Sequence, residues 1–177
     1  LPGLALASEP AERDIMSRPP RGPTESLFAG GLGAHAFVVG VLMAALALGV
    51  QAWYWHAGVQ SWQTAVFTTM CFTQLAHVMA IRSERTALFA LGLASNRPLL
   101  GAVVLTALLQ LAIIYVPSLN AVFRTVPLRP GEIAVCAACA VIILVIVELE
   151  KRVRNRAASG YARRRGLPGG AHGALDR

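Results

Sequence analysis

The chain has 177 residues, of which 55% are hydrophobic and 14% are charged, and its mean hydropathy is +0.56. Its apolar blocks are too long for the helices of a soluble domain, so the composition is that of an integral membrane protein. The net charge of +7 does not indicate nucleic-acid binding, because the basic residues lie between and after the apolar blocks and aromatic stacking platforms are missing.

The chain opens with a short apolar segment and a proline-rich connector. Residues 1–6 read as the end of an apolar segment whose body is absent, and no start methionine precedes them. Pro19, Pro20 and Pro23 then exclude a continuous helix and favour an extended, solvated segment. We therefore predict that residues 1–31 form a cytoplasmic connector that follows a missing transmembrane helix.

Four apolar segments follow, each long enough to cross a hydrocarbon core of about 30 Å. They predict membrane spans at about residues 32–54, 62–81, 99–116 and 131–149, which together form a transmembrane domain over residues 32–149. The basic, glycine-rich residues 150–177 are predicted to be a tail that is disordered beyond its first turns. The expected fold is an all-α, polytopic membrane helix bundle with four transmembrane helices, in the cell membrane.

The orientation of this bundle is predicted from its Lys and Arg residues. All but two of the 16 lie before the first span, between the second and third spans, or after the fourth. The two exceptions, Arg124 and Arg129, lie between the third and fourth spans. By the positive-inside rule, the N and C termini and the middle loop are cytoplasmic and the other two loops face outward.

The second span carries a polar stripe. Thr69, Thr73, Gln74 and His77 fall within an arc of roughly 140° on a helical wheel. An amide in hydrocarbon needs a partner, so Gln74 is expected to face other helices or an aqueous path. Two readings of Gln74 stay open: contact with a transported ion, or an interhelical hydrogen bond worth about 0.6 to 2 kcal/mol. For His77 we expect a bond to a neighbouring helix, and for His35 an interfacial position.

The fourth span contains a C-x-x-C motif, Cys136 and Cys139. In a soluble protein this spacing would suggest redox or metal chemistry. Here the cysteines lie among alanines in an apolar helix, where small residues favour close helix packing. Packing is therefore the preferred interpretation, and the alternative is a free-standing four-helix scaffold or a thiol-dependent membrane protein that uses these two cysteines.

The positions of the charged residues do not indicate an independent transport or catalytic activity. Glu148 and Glu150 stand four residues before Arg152 and Arg154 and are expected to form helix-surface ion pairs. No span carries a carboxylate near its middle, which argues against an independent proton-coupled carrier. Phosphate-loop, nucleophile-elbow and zinc-protease motifs are all missing from the sequence, so this chain is not expected to be an enzyme by itself.

Three segments resemble type II P-type cation-transporting ATPases. The opening L-P-x-L-A-L, then E-P, then D-x-M-x-R-P-P-R over residues 1–21 resembles the stretch that follows the sixth transmembrane helix of that family. FTQL at residues 72–75, RSE at 82–84, LF at 88–89 and Asn96 resemble the eighth helix and the loop after it. YVPSLNAVFRTVPL at residues 115–128 is similar to the outward loop between the last two helices.

This resemblance implies that the four spans are the seventh to tenth helices of a calcium-pump-like transporter, which buttress its ion-translocating core. It implies partners as well: the other helices and cytoplasmic domains of the pump, the lipid bilayer and a transported cation. ATP and Mg²⁺ would act in those missing domains, and no cofactor is expected in this chain. Gln74 corresponds to an ion-ligand position of the eighth helix, beside which Thr73 and His77 would lie. Its neutrality leaves calcium, magnesium, sodium and potassium open.

Overall fold

The described part of the chain is built from helices. The computed structural model describes residues 2–7, 32–82 and 96–164, with side chains in these ranges as far as residue 153. Within them there is no strand, and the helices are α1 (Pro2–Leu6), α2 (Leu32–His56), α3 (Trp62–Ala80), α4 (Arg97–Tyr115), α5 (Pro117–Phe123) and α6 (Pro130–Arg164). The predicted all-α class is confirmed for these residues.

The helix bounds differ from the predicted spans mainly at α6. The predicted span ends near residue 149, followed by a few ordered turns, and α6 continues to Arg164; its turn at residue 151 still packs against α3. Lys151 is buried, and its ammonium group donates a hydrogen bond to the carbonyl oxygen of Ala80 at the end of α3. The predicted connector over residues 8–31 and the tail beyond residue 164 lie outside the described residues.

Three of the described helices are long and apolar enough to cross a membrane: Leu32–His56, Arg97–Tyr115 and Pro130–Val153. The fourth predicted span, α3, is not among them. Its four threonines, two glutamines and one histidine lower its hydropathy below that of its neighbours. The polar residues of the predicted stripe thus make α3 the least hydrophobic of the helices that were predicted to cross the membrane.

Helix α3 is the centre of the described bundle, and α1, α2, α4 and α6 all pack against it. It runs parallel to α6 along its whole length. Ser61 bonds to Glu132 at one end, the thiol of Cys136 donates to the Ala65 carbonyl further along, and Lys151 reaches Ala80 at the other end. These three pairs keep the same sequence separation of 71 residues, so the register between the helices is constant. We refer below to the Trp62 end and the Lys151 end of the bundle.

A tight turn makes α2 and α3 antiparallel neighbours. Gly58 has a φ of +67°, in the left-handed region that favours glycine. The backbone N–H of Val59 then donates to the Tyr54 carbonyl at 2.9 Å, which satisfies a carbonyl left open at the end of α2. The chain reverses within a few residues, so the next helix must pack against the one just completed.

The buried apolar residues form two main layers along the bundle. The layer at the Trp62 end joins residues of α2, α3, α4 and α6 with Leu128, which precedes α6: Val50, Tyr54, Ala65, Ile114, Leu128, Cys136 and Cys139. The layer at the Lys151 end joins Val39 of α2, Ala80 of α3, and Ile143 and Val147 of α6. Large apolar side chains on the outer faces, such as Phe37, Leu48 and Leu108, are exposed, as lipid-facing residues of a membrane bundle would be.

The connection from α4 to α6 was predicted as a loop and contains the short helix α5. The side-chain amide of Asn120 donates to the carbonyls of Ile113 and Ile114 at 2.6 and 2.7 Å, which are among the last open carbonyls of α4. The hydroxyl of Tyr115 donates to the Leu128 carbonyl at 2.8 Å. These bonds fold the connection back over the end of the bundle and fix where α6 begins.

Candidate functional site

Helix α3 presents one narrow line of exposed residues, which we call the open stripe. It consists of Gln63, Phe67, Met70 and Gln74, and every other residue of α3 is buried or half-buried. The spacings of four, three and four residues place these side chains on one face of the helix. Gln74, the predicted cation contact, therefore points away from the described helices and not into their core.

The four threonines of α3 lie on its buried side, and two of them bond to neighbouring segments. The Thr68 hydroxyl accepts a hydrogen bond from the amide of Gln110 in α4 at 3.2 Å. The Thr64 hydroxyl accepts one from the backbone N–H of Val126 at 2.9 Å. Thr73, another predicted site residue, is buried, and its hydroxyl donates to the Thr69 carbonyl of its own helix at 2.8 Å. The structure thus places Thr73 and Gln74 on different sides of α3.

His77, the third predicted site residue, belongs to a cluster at the Lys151 end. Its ring meets that of His35 in α2 edge to edge, with centroids 5.6 Å apart and planes inclined by 28°. The Nε2 atoms of the two rings are 3.4 Å apart. The Nδ1 atom of His35 lies 2.7 Å from a carboxylate oxygen of Glu150 in α6. His77 therefore contacts the neighbouring helix α2 through His35.

Glu148 and Glu150 make contacts that were not expected of them. The side chain of Glu148 is only 9% exposed, and its carboxylate accepts a hydrogen bond at 3.0 Å from Lys151, three residues on. Glu150 turns toward His35 of another helix. Glu150 reaches α2 because α6 continues past residue 149 in contact with its neighbours. The contact between Glu150 and His35 could have been predicted, since the order of the spans places His35, His77 and Glu150 at the same level of the bundle.

The Trp62 end has its own polar contact. One oxygen of the Glu132 carboxylate accepts a hydrogen bond from the Ser61 hydroxyl, and the other accepts one from the backbone N–H of Arg129, both at 2.7 Å. A cavity of about 430 Å³ lies beside them, lined mainly by apolar and aromatic side chains of α2 and α6. Trp55 and Trp62 meet edge to face there, with centroids 5.3 Å apart.

The two cysteines of the C-x-x-C motif face α3. Cys136 is fully buried and Cys139 is 7% exposed, and neither is in a disulfide. The alanines at positions 134, 137 and 138 are exposed, so the thiols, rather than these alanines, form the contact with α3. Across residues 2–7, 32–82 and 96–153, no group of three or more His, Cys, Asp or Glu side chains is arranged to hold a metal ion.

Apolar helices of membrane-spanning length packed around a polar central helix define this chain as a multi-pass membrane domain. A model of the family described as "Cation transporting ATPase, C-terminus" matches residues 1–153. The chain therefore belongs to the family of C-terminal domains of cation-transporting ATPases, and the resemblance found in its sequence motifs is confirmed.

Three relatives illustrate this membership. The chain is 36% identical over 135 residues to the calcium-transporting ATPase of Bacillus subtilis, an alignment that covers 75% of this chain and 15% of that protein. It is 34% identical over 147 residues to probable cation-transporting ATPase F of Mycobacterium tuberculosis, covering 82% and 16%. It is 29% identical over 158 residues to calcium-transporting ATPase type 2C member 2 of Mus musculus, covering 85% and 16%. The chain thus spans only 15 to 16% of the length of these relatives.

Proposed function

We propose that this chain is the C-terminal membrane domain of an ATP-driven cation transporter and that it buttresses the helices through which the cation passes. The family match over residues 1–153 and the relatives named as calcium-transporting or cation-transporting ATPases support this proposal. ATP and Mg²⁺ would be used by other domains of the transporter. The proposed partners of this domain are those domains, the remaining membrane helices, the lipid bilayer and the transported cation.

We further propose that α3 is a fourth membrane span and that both termini are cytoplasmic. Helix α3 has 19 residues, which corresponds to roughly 28 Å at 1.5 Å per residue. It lies beside α6 from the Ser61–Glu132 contact to the Ala80–Lys151 contact. Because that part of α6 is long and apolar enough to cross a membrane, its parallel neighbour would lie at the same depth. The distribution of Lys and Arg supports the orientation.

The observation that carries the functional proposal is the open stripe of α3. An amide side chain that faces lipid within the membrane has no hydrogen-bond partner, which costs free energy. It is tolerated where it faces protein or an aqueous path. Gln74 lies in the stripe beside Met70 and Phe67, so we propose that this face packs against the ion-carrying helices of the transporter. The carbonyl oxygen of Gln74 would then contact the cation, as amide oxygens do with hard cations.

Thr73 and His77 would support Gln74 from behind the open stripe. The hydroxyl of Thr73 is already bonded to the backbone of α3, and the ring of His77 contacts that of His35 in α2. Both contacts hold α3 in place next to the proposed cation path. In this proposal only Gln74 contacts the cation, and the other two residues keep its helix in register with α2 and α6.

The proposal is tested by replacing Gln74 in the full-length transporter. Gln74→Ala should raise the cation concentration needed for phosphorylation from ATP by about tenfold or more, as expected for one lost contact to a charged group. Gln63→Ala is the matched control, because Gln63 is an exposed glutamine in the same stripe but lies at the Trp62 end. An unchanged cation titration for Gln74→Ala would return Gln74 to the role of an interhelical hydrogen-bonding residue.

A further inference from the structure

Three side chains from three different helices converge at the Lys151 end. His35 comes from α2, His77 from α3 and Glu150 from α6. The His35 side chain is 12% exposed and that of Glu150 is 34% exposed, so the cluster is mostly enclosed by the bundle and is most exposed on the Glu150 side. The proposed cation contact at Gln74 lies on the open stripe, which does not include these residues.

The two ring nitrogens of the histidines are held at an unusual distance. Their Nε2 atoms are 3.4 Å apart, longer than the usual 2.7 to 3.2 Å of a good N–H hydrogen bond. Two nitrogens bound to one tetrahedral Zn²⁺ at about 2.05 Å each would be separated by about 3.3 Å. The centroids of two such imidazole rings would be separated by about 5.2 Å, close to the observed 5.6 Å. The pair therefore has the spacing of two ligands that share a metal ion.

Glu150 provides a carboxylate partner for His35, and metal-binding histidines usually bond to such a partner through the ring nitrogen that does not bind the metal. The Nδ1 atom of His35 lies 2.7 Å from its carboxylate. When Nδ1 carries the proton of this hydrogen bond, Nε2 carries the free lone pair, which points toward His77. A carboxylate in this position fixes the tautomer and the orientation of the ring and increases its basicity as a ligand.

We propose that His35 and His77 form a binding site for a divalent transition metal of the zinc class, with Glu150 as the positioning residue of His35. Imidazole nitrogen favours Zn²⁺, Cu²⁺ and Ni²⁺ over Ca²⁺ and Mg²⁺, which prefer oxygen ligands. Two protein nitrogens hold the ion and water completes its coordination, so the site binds metal reversibly. A bound ion joins α2 directly to α3 and fixes both to α6 through Glu150.

The site is tested with Zn²⁺ on the full-length protein in lipid nanodiscs, by competition against a chromophoric chelator. The wild-type protein should bind Zn²⁺, and His35→Gln and His77→Gln should each lose this binding. His56→Gln is the matched control, because His56 is an exposed histidine at the opposite end of α2. Glu150→Gln should weaken binding by about 10- to 100-fold, as changes of such supporting carboxylates do.

A further variant separates metal binding from a purely structural role of the histidines. His77→Cys should restore Zn²⁺ binding, since a thiolate is also a zinc ligand, whereas it would not replace the contact between the two rings. Circular dichroism establishes that each variant is folded before titration. The proposal is overturned when folded wild-type protein does not bind Zn²⁺, or when its binding persists unchanged in either His35→Gln or His77→Gln.

Discussion

The hydrogen bond between Gln110 and Thr68 should make a measurable contribution to the packing of α4 against α3. Thr68 is fully buried and Gln110 is 4% exposed, so water cannot replace either partner. The bond is 3.2 Å long, and interhelical bonds of this kind in membranes contribute about 0.6 kcal/mol on average and at most about 1.7 kcal/mol. Thr68→Val keeps the shape of the side chain and removes the acceptor, whereas Gln110→Leu removes the donor.

A double-mutant cycle isolates this bond. Unfolding of the chain in mixed micelles is followed by titration with a denaturing detergent, with the signal from the tryptophans at the Trp62 end. The two single variants and the double variant should give a coupling free energy of about 0.6 to 1.7 kcal/mol. Thr73→Val with Gln110→Leu is the control cycle, because the Thr73 hydroxyl bonds to its own helix. A coupling near zero for Thr68 with Gln110 would refute the assigned contact between α3 and α4.

Three further substitutions test other contacts. Cys136→Ala should cost about 1 kcal/mol of stability by loss of a buried side chain and leave cation-dependent phosphorylation unchanged; a loss of phosphorylation would favour a thiol-dependent function. Glu132→Gln replaces the carboxylate that accepts a hydrogen bond from the N–H of Arg129 by a neutral amide. The free energy of unfolding should fall by about 1 kcal/mol, and hydrogen exchange in the first turn of α6 should become faster. Lys151→Met removes the ammonium group from Ala80 and should lower the unfolding free energy by about 2 to 3 kcal/mol. An unchanged detergent midpoint in either of these two variants would contradict the contact.

The helices themselves could be predicted from local properties of the sequence. Long apolar blocks predicted α2, α4 and α6. In the structure α4 begins at Arg97, with Pro98 in its first turn and the side chain of Asn96 as its N-cap. These features depend on composition and on the special backbone of proline, which act within a few residues. Predictions from them therefore came within a few residues at both ends of α2 and α4.

The arrangement of the helices depends on contacts between distant residues and was harder to predict. The polar stripe of α3 was expected to act as one surface, yet it divides between the buried Thr73 and the exposed Gln74. One helical wheel shows which residues share a face but not which faces are covered by neighbours. Likewise, the contact of Glu150 with His35 could not be predicted from the spacing of residues along α6, because His35 lies 115 residues away.

The central claim is that this chain is one domain of an ATP-driven cation pump, and the coding sequence upstream of the Leu1 codon tests it most directly. The account predicts an open reading frame that continues back through an Asp-Gly just before Leu1 and through T-G-D-G-x-N-D and D-K-T-G-T motifs. Such a frame would join the open stripe of α3 to the helices and catalytic domains of a pump in one polypeptide. An in-frame stop close upstream, with a start codon that produces this chain alone, would contradict the account.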